Sequence, residues 1–295
     1  MNTIQIIEQF IKNHNGVSVK ELTGLLGLYP TIIHRHLKKL VDQWSIKKIG
    51  SAPKVLYVAN IQEKQSNVEL SYREQHFLEQ YYYTYDSDGQ ILKWTEGFIQ
   101  WCIQRKFDYK QQFMLYKAML ESISRLKDNY GLINGTVYIS PNLGRQYISQ
   151  LYFIDAYQVG HFGKSKLGSI TFYAKQSQNK ELIKQVIQII KNPILSYIQH
   201  NQIDAICFAP PSITRPVQFM TEIRKGLSIT LPEIKLFKLF PNGVIIPQKS
   251  LKSMEQRIKN ATNTIFLSQD NPKANKVLII DDFMGSGATI NIIAK

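Results

Sequence analysis

The sequence holds only two cysteines, Cys102 and Cys207, far apart and without CxxC spacing. That excludes a cysteine zinc cluster and a disulfide framework, and no metal-ligating set is expected. No apolar run approaches the ~20 residues that a membrane-spanning helix needs. The first residues, "MNTIQIIEQFIKNHNG", lack the unbroken apolar stretch of a signal peptide, so a cytoplasmic protein without membrane contact is expected. No fixed-period repeat is visible, which argues against a solenoid. The glycine-rich loop near the end of the chain holds neither Gly-Lys-Ser/Thr nor GxGxxG, so it carries neither the P-loop nor the dinucleotide fingerprint. Acidic residues are scarce, 22 against 36 Lys and Arg, giving a net charge of +14 and a pI near 9.5. This balance suits anionic partners: nucleic acid, phosphorylated ligands or an acidic surface. A generally basic composition gives the same pI with no functional meaning.

What is present begins with a length of 295 residues and an apolar fraction of 44%, enough for one large domain or two modest ones with a buried core. In residues 3–13, Ile4, Ile7, Phe10 and Ile11 share one helical face. "SVKELTGLLG" follows, with Ser18 and Glu21 spaced as a capping box and Gly27 as a stop. Pro30 stands at a first helical position and opens "PTIIHRHLKKLVDQ", with Ile33, Leu37, Leu40 and Val41 inward. "WSIKKIG" and "KVLYVAN", separated by "SAP", read as a hairpin. Residues 1–60 carry eight Lys or Arg against three Asp or Glu, a net of +5. Three short helices and a basic hairpin describe a winged helix-turn-helix, and "ELTGLLGLYPTIIHRHLKKL" resembles bacterial winged-helix regulators. Double-stranded DNA is then the expected partner, through Thr31, His34, Arg35, Lys38 and Lys39 on the third helix and Lys47 and Lys48 on the wing. The competing use of such a module is protein contact or dimerisation.

"IQEKQSN" reads as a linker, and residues 61–130 as a helical, aromatic-rich segment broken once at "DSDG". The run "YYYTY" invites nucleic-acid stacking, but its helical spacing beside Phe77, Leu78, Trp94, Phe98 and Trp101 favours a packed core. The segment is expected to separate the two ends or to join two copies as a homodimer. From Gly135 onward, "TVYIS", "QLYFIDAYQV", "LGSITFYA", "DAICFAPPS", "EIKLFKLF", "TIFL" and "KVLIIDD" read as strands. "NKELIKQVIQIIKNPILSYIQH", with Pro193 as a kink, and "ITRPVQFMTEIRKGL" read as helices. The alternation predicts an α/β domain with a largely parallel sheet.

In such sheets ligands bind beyond the carboxyl ends of strands. "VLII" is a buried strand, "DDFMGSGAT" the loop at its carboxyl end, and "TINIIAK" the start of a helix. Gly285 and Gly287 permit close backbone approach, Ser286 and Thr289 add hydroxyl donors, and a helix start favours an anion. Asp281 and Asp282 are suited to vicinal hydroxyls. Four apolar residues, Asp-Asp and Gly-Ala-Thr together look like the phosphoribosyl pyrophosphate (PRPP) motif of type I phosphoribosyltransferases. The resemblance implies that Asp281 and Asp282 contact the ribose hydroxyls and that Gly285, Ser286, Gly287, Ala288 and Thr289 hold the 5′-phosphate. "FAPPSITR" resembles that family's pyrophosphate loop, with Pro211, Ser212, Thr214 and Arg215. "PQKSLKSMEQRIKNATNTIF" fits the mobile loop of ComF-type members through Gln248, Leu251, Arg257, Asn260 and Phe266, with Arg257 carried into the catalytic set. The similarity covers roughly residues 150–295.

ComF-type proteins usually carry a four-cysteine zinc module where this chain has its three helices and hairpin. The purine-operon repressors of Gram-positive bacteria join a winged helix to a PRPP-binding sensor domain, and they lack an insert like residues 61–130. The expected organisation is therefore an α/β protein: a winged helix-turn-helix over 1–60, a helical segment over 61–130, and over 131–295 a phosphoribosyltransferase-like parallel sheet flanked by helices. The expected activity is transfer of ribose 5-phosphate from PRPP, with Mg²⁺, to a nitrogenous base. The alternative is a regulator with PRPP or a nucleotide as effector. Only six residues follow Thr289, so the domain is expected to be truncated, its last helix poorly covered along Ile290, Ile292 and Ile293.

Overall fold

A computed structural model describes residues 2–14, 16–43, 45–51, 53–59, 70–85, 91–92, 94–139 and 143–295. The expected linker and the "DSDG" break lie outside the described residues. The chain divides into two compact units, Met1–Glu69 and Leu70–Lys295.

The first unit contains α1 (Thr3–Lys12), α2 (Val19–Leu26), α3 (Pro30–Asp42) and an antiparallel pair, β1 (Ile46–Ser51) and β2 (Lys54–Ala59). Its helix ends are set locally. Asn2 and Gln5 form a reciprocal capping box on α1, and Ser18 and Glu21 form one on α2. Gly27 ends α2 at φ +62°, a left-handed conformation that favours glycine. Pro30 occupies the first turn of α3, where its missing N–H costs nothing. Ile7, Ile11, Leu22, Ile33, Leu37, Leu40, Ile46 and Tyr57 are buried together. At ~1.5–3 kcal/mol for each fully buried large apolar side chain, this cluster, rather than helix propensity, holds three short helices in place. The backbone of Tyr57 also exchanges two hydrogen bonds with Val17, at 2.7 and 2.8 Å, fastening the hairpin to the turn after α1.

The second unit begins with α4 (Tyr72–Tyr81), a two-residue pair β3 (Thr84–Tyr85) and β4 (Ile91–Leu92), α5 (Trp94–Gln104) and α6 (Tyr109–Arg125). Tyr82, Tyr83, Phe98, Phe113 and Tyr116 are buried. Tyr82 meets Phe98 and Tyr116 edge-on, at 5.2 and 5.6 Å between ring centroids. The aromatic run is thus largely core. Tyr116 also touches Phe162, and Tyr83 shares a cluster with Ile170 and Ala174. Residue 130 therefore marks no boundary between compact units.

The remaining elements are β5 (Ile133–Asn134), β6 (Tyr152–Phe153), α7 (Lys166–Ser177), α8 (Lys180–Asn201), β7 (Ala205–Phe208), α9 (Phe219–Leu227), β8 (Glu233–Ile234), β9 (Leu236–Lys238), α10 (Met254–Thr264), β10 (Ile265–Leu267), β11 (Val277–Ile280) and α11 (Ala288–Ile293). The unit is mixed α/β. Among the described residues it has one three-stranded sheet, which is parallel, in the order β11–β7–β8, with Ile280 opposite Phe208 and Cys207 opposite Ile234. β9 and β10 form a separate antiparallel pair. Every residue of the central strand β7 is buried, as a strand covered on both faces requires. Alternation along β11 shows the two layers: Leu278 and Ile280 pack with the α8 and α9 side chains Ile190, Ile223 and Leu227, while Ile279 packs with Ile258 and Ile290. Pro193 lies inside α8 without ending it; burial of Ile190 and Ile194 offsets the ~3 kcal/mol that an interior proline costs.

Three expectations are corrected here. "LGSITFYA" is not a strand but the body of α7: Ser165 caps it, and Ile170 and Ala174, four apart, are its buried stripe. "TVYIS" is a single tight helical turn over Thr136–Tyr138. The terminal helix α11 is short, but its Ile290 is only 8% exposed and Ala288 1%. Buried Asn291 further anchors it, accepting from Tyr147 N at 2.8 Å and donating to Arg145 O at 3.0 Å.

Candidate functional site

β7 and β11 are neighbours, parallel and in register to their last residues. Their outgoing loops therefore leave the same edge of the sheet. Ala209 N still donates to Ile280 O at 3.0 Å, which holds the start of the segment 209–215 against the start of the loop 281–287. This is how strand order brings together residues some seventy positions apart.

Asp281 and Asp282 stand at the head of the β11 loop. Asp282 N donates to an Asp281 carboxylate oxygen at 2.8 Å. Burial, and then the negative charge of Asp282, push the Asp281 carboxyl up to about 7, while Lys175 opposes the shift. Asp282 is ion-paired with the Lys175 ammonium, its side chain 14% exposed. On the β7 side, Ser212 Oγ accepts from Lys238 Nζ at 2.9 Å. Burial lowers the Lys238 pKa, and Asp281 works against that. Arg215 donates to the Lys175 carbonyl. Two carboxylates and three cations from four separate segments thus share one end of the sheet. Tyr157 borders them; its phenol is raised by burial and by Asp282, and its ring meets that of Phe283 at 4.8 Å.

Lys175, Lys238, Tyr157 and Phe283 were not legible as site residues in the sequence. Lys175 was hidden because α7 reads as a strand by composition. Phe283 alone carried a local signal, standing beside the acidic pair in the motif.

The other expected residues fall differently. Gly285 is exposed, whereas Gly287 and Ala288 are buried. Gly287 caps α11 at φ +80°, a conformation that strains any side chain. Pro211 and Thr214 are exposed. No helix starts at Ser212–Arg215, contrary to expectation; α9 begins only at Phe219. Pro216 disfavours helical backbone at Arg215 before it, and Val217 N is held by Gln178 Oε1 at 3.0 Å. Arg257, expected in the catalytic set, is occupied within its own segment. Its Nε donates to Leu251 O at 3.1 Å, its carbonyl accepts from Gln248 Nε2 at 3.0 Å, and Asn260 reaches Ile246 O at 3.4 Å. These bonds fasten the expected mobile loop to α10. Phe266 faces Phe237 across β9 and β10.

Among the described residues no three His, Cys, Asp or Glu side chains are grouped to hold a metal ion. The acidic pair alone fits a divalent ion that arrives on a ligand better than a resident one. Both cysteines are buried, and burial raises their thiols, Cys207 to about 12 and Cys102 to about 11, the opposite of what an activated nucleophile needs.

In the first unit, Thr31, His34, Arg35 and Lys38 follow the i, i+3, i+4, i+7 spacing of one helical face. All four, with Lys39, are exposed. They lie opposite the buried stripe of Ile33, Leu37 and Leu40. On β1, Lys48 is exposed and Lys47 half-buried. Among the described residues no helix is long and apolar enough to cross a membrane. No family model matches the chain, and among curated proteins and solved structures none matches it.

Proposed function

We propose that the second unit is a type I phosphoribosyltransferase-like domain that binds PRPP and transfers its ribose 5-phosphate to a nitrogenous base. The observation that carries this is the convergence of the Asp281–Asp282 pair and the Ser212 loop at the carboxyl ends of neighbouring parallel strands. Carboxylates accept hydrogen bonds from a vicinal diol. Ser212, Lys238 and Arg215 suit a pyrophosphate beside it, and residues 285–289 the 5′-phosphate. As the C–O bond to pyrophosphate breaks, its electron pair leaves with the pyrophosphate and positive charge develops at the anomeric carbon. A fixed acidic pair stabilises that charge without reorganising. The base nitrogen supplies the pair for the new C–N bond. Mg²⁺ supplies charge neutralisation on the pyrophosphate when bound.

The first unit is read as a winged helix-turn-helix that binds duplex DNA through α3. Its exposed basic face supports a second reading of the whole chain, a regulator with PRPP or a nucleotide as effector.

Calorimetry with Mg-PRPP tests the ligand. Wild type is expected to bind, and replacing Asp281 and Asp282 together by Asn to weaken binding at least tenfold, since charge-assisted hydrogen bonds are worth ~1.5–3 kcal/mol each. Equal affinities for the two proteins reject the assignment.

A further inference from the structure

Lys175 does two things at once. Its ammonium pairs with Asp282 of the β11 loop, and its carbonyl accepts the Arg215 guanidinium from the segment after β7. The backbone beneath it is fixed. Ser165 caps α7, accepting from Gly168 N at 3.0 Å, and Ser165 N in turn donates to Tyr157 O at 3.0 Å. Ile170 and Ala174 are buried in the core. One turn on, Gln178 holds Val217 N. The last turn of α7 is therefore a bracket gripping both loops, while the Lys175 side chain, 36% exposed, keeps room to move.

We infer that Lys175 is a positioning residue that couples the two halves of the ligand site: its ion pair holds Asp282 oriented for a diol, and through Arg215 it sets the segment that faces a ligand phosphate. This rests on the PRPP reading for its ligand, but not for the coupling. The charged and titratable groups facing the pair are Lys175 from α7, Lys238 from β9 and Tyr157 from the segment before α7. Lys238 also reaches the segment after β7, through Ser212, but of these groups only Lys175 is bonded to Arg215. Removing its charge leaves two adjacent carboxylates with less compensation, so the pair ionises at higher pH. Arg215 is bonded to the Lys175 carbonyl and, among the described residues, is ion-paired with neither carboxylate, so Arg215→Met is expected to act on the pair through Lys175.

The test is Mg-PRPP affinity from pH 5.5 to 9 for wild type, Lys175→Met, Lys175→Arg, Arg215→Met and the Lys175→Met/Arg215→Met double variant. For Lys175→Met, affinity at pH 7 is expected to fall about tenfold, the pH midpoint to rise by about one unit, and most of the loss to be regained at pH 9. Lys175→Arg is expected to restore the wild-type curve. Arg215→Met is expected to raise the midpoint in the wild-type background and leave it unmoved in the Lys175→Met background. A Lys175→Met curve that is lower at every pH with an unchanged midpoint overturns the inference, as does an Arg215→Met shift that persists without Lys175. If wild type binds no PRPP, the ligand reading fails. Carboxyl ¹³C titration of the ligand-free proteins then decides on the coupling. The same pattern of midpoints upholds it, and identical midpoints in all five proteins overturn it.

Discussion

Asp281 carries a cost and a use in the same carboxyl. Its folded pKa, about 7, lies above the ordinary carboxylate value of 3.8 because burial and Asp282 disfavour its charge. A group raised in this way contributes stability below its unfolded pKa, and loses it as pH rises through the folded value. Asp281→Asn is therefore expected to melt higher than wild type at pH 8, with the gap closing toward pH 4. For a unit of this size ~1 kcal/mol corresponds to about 2–4 °C, which differential scanning calorimetry resolves. The ligand needs the opposite form, since an ionised carboxylate accepts from hydroxyls. Mg-PRPP affinity of the wild type is thus expected to rise with pH across the window near 7. A wild type that is no less stable than Asp281→Asn at pH 8 shows that Lys175 and Lys238 compensate the buried charge fully. On the proposed reading, Asp281 is a site residue that the fold tolerates rather than prefers.

At the scale of elements, α7 shows where sequence and structure part. Its run Ile170–Tyr173 is rich in β-branched and aromatic residues, so local propensity points to a strand. Tertiary packing decides otherwise, because Ile170 and Ala174 fall on one helical stripe over α8. The elements that were legible carried their own signals: the capping box at Ser18, Pro30 and Gly27 at helix ends, and the apolar run of β11 into two aspartates. The acidic half of the site was legible for the same reason, being contiguous. Of its cationic half only Arg215 was legible, through the resemblance of its loop; Lys175 and Lys238 are brought in by strand order and helix packing. Gly168 shows how closely α7 must approach. A Cβ there would sit 2.5 Å from Tyr157 O, a backbone atom that cannot rotate away. Replacing glycine by alanine inside a helix ordinarily gains ~1 kcal/mol, but overpacking of this kind costs ~1–3 kcal/mol. Gly168→Ala is expected to lower the unfolding midpoint in urea and, by displacing Tyr157 and the start of α7, to weaken Mg-PRPP binding. An unchanged or raised midpoint means that the helix start shifts at little cost.

For the whole molecule, the two readings of function divide on whether the units communicate. The exposed face of Thr31, His34, Arg35 and Lys38 on α3 gives the first unit an electrostatic footprint suited to phosphates. Duplex DNA is expected to bind the full chain with affinity that falls steeply with salt, by about 0.9 in log–log slope for each phosphate contact. Neutralising Arg35, Lys38 and Lys39 together should flatten that slope while leaving Mg-PRPP affinity untouched, since none of the three belongs to the second unit. Salt-independent binding, or none at low salt, points instead to a protein-contact role for α3. If the chain is a regulator, PRPP and DNA must be linked. Linkage is reciprocal: a ligand that changes DNA affinity by some factor has its own affinity changed by DNA by the same factor. Typical couplings of ~1–3 kcal/mol correspond to 5–150-fold, well within reach of fluorescence anisotropy with and without saturating Mg-PRPP. The enzyme reading expects no such factor, and expects pyrophosphate release when the right base is supplied with Mg-PRPP. A DNA affinity that moves fivefold or more with PRPP, together with no pyrophosphate release across a panel of purine and pyrimidine bases, would make the acidic pair and its lysine a sensor. Release with an unmoved DNA affinity would make them a catalyst.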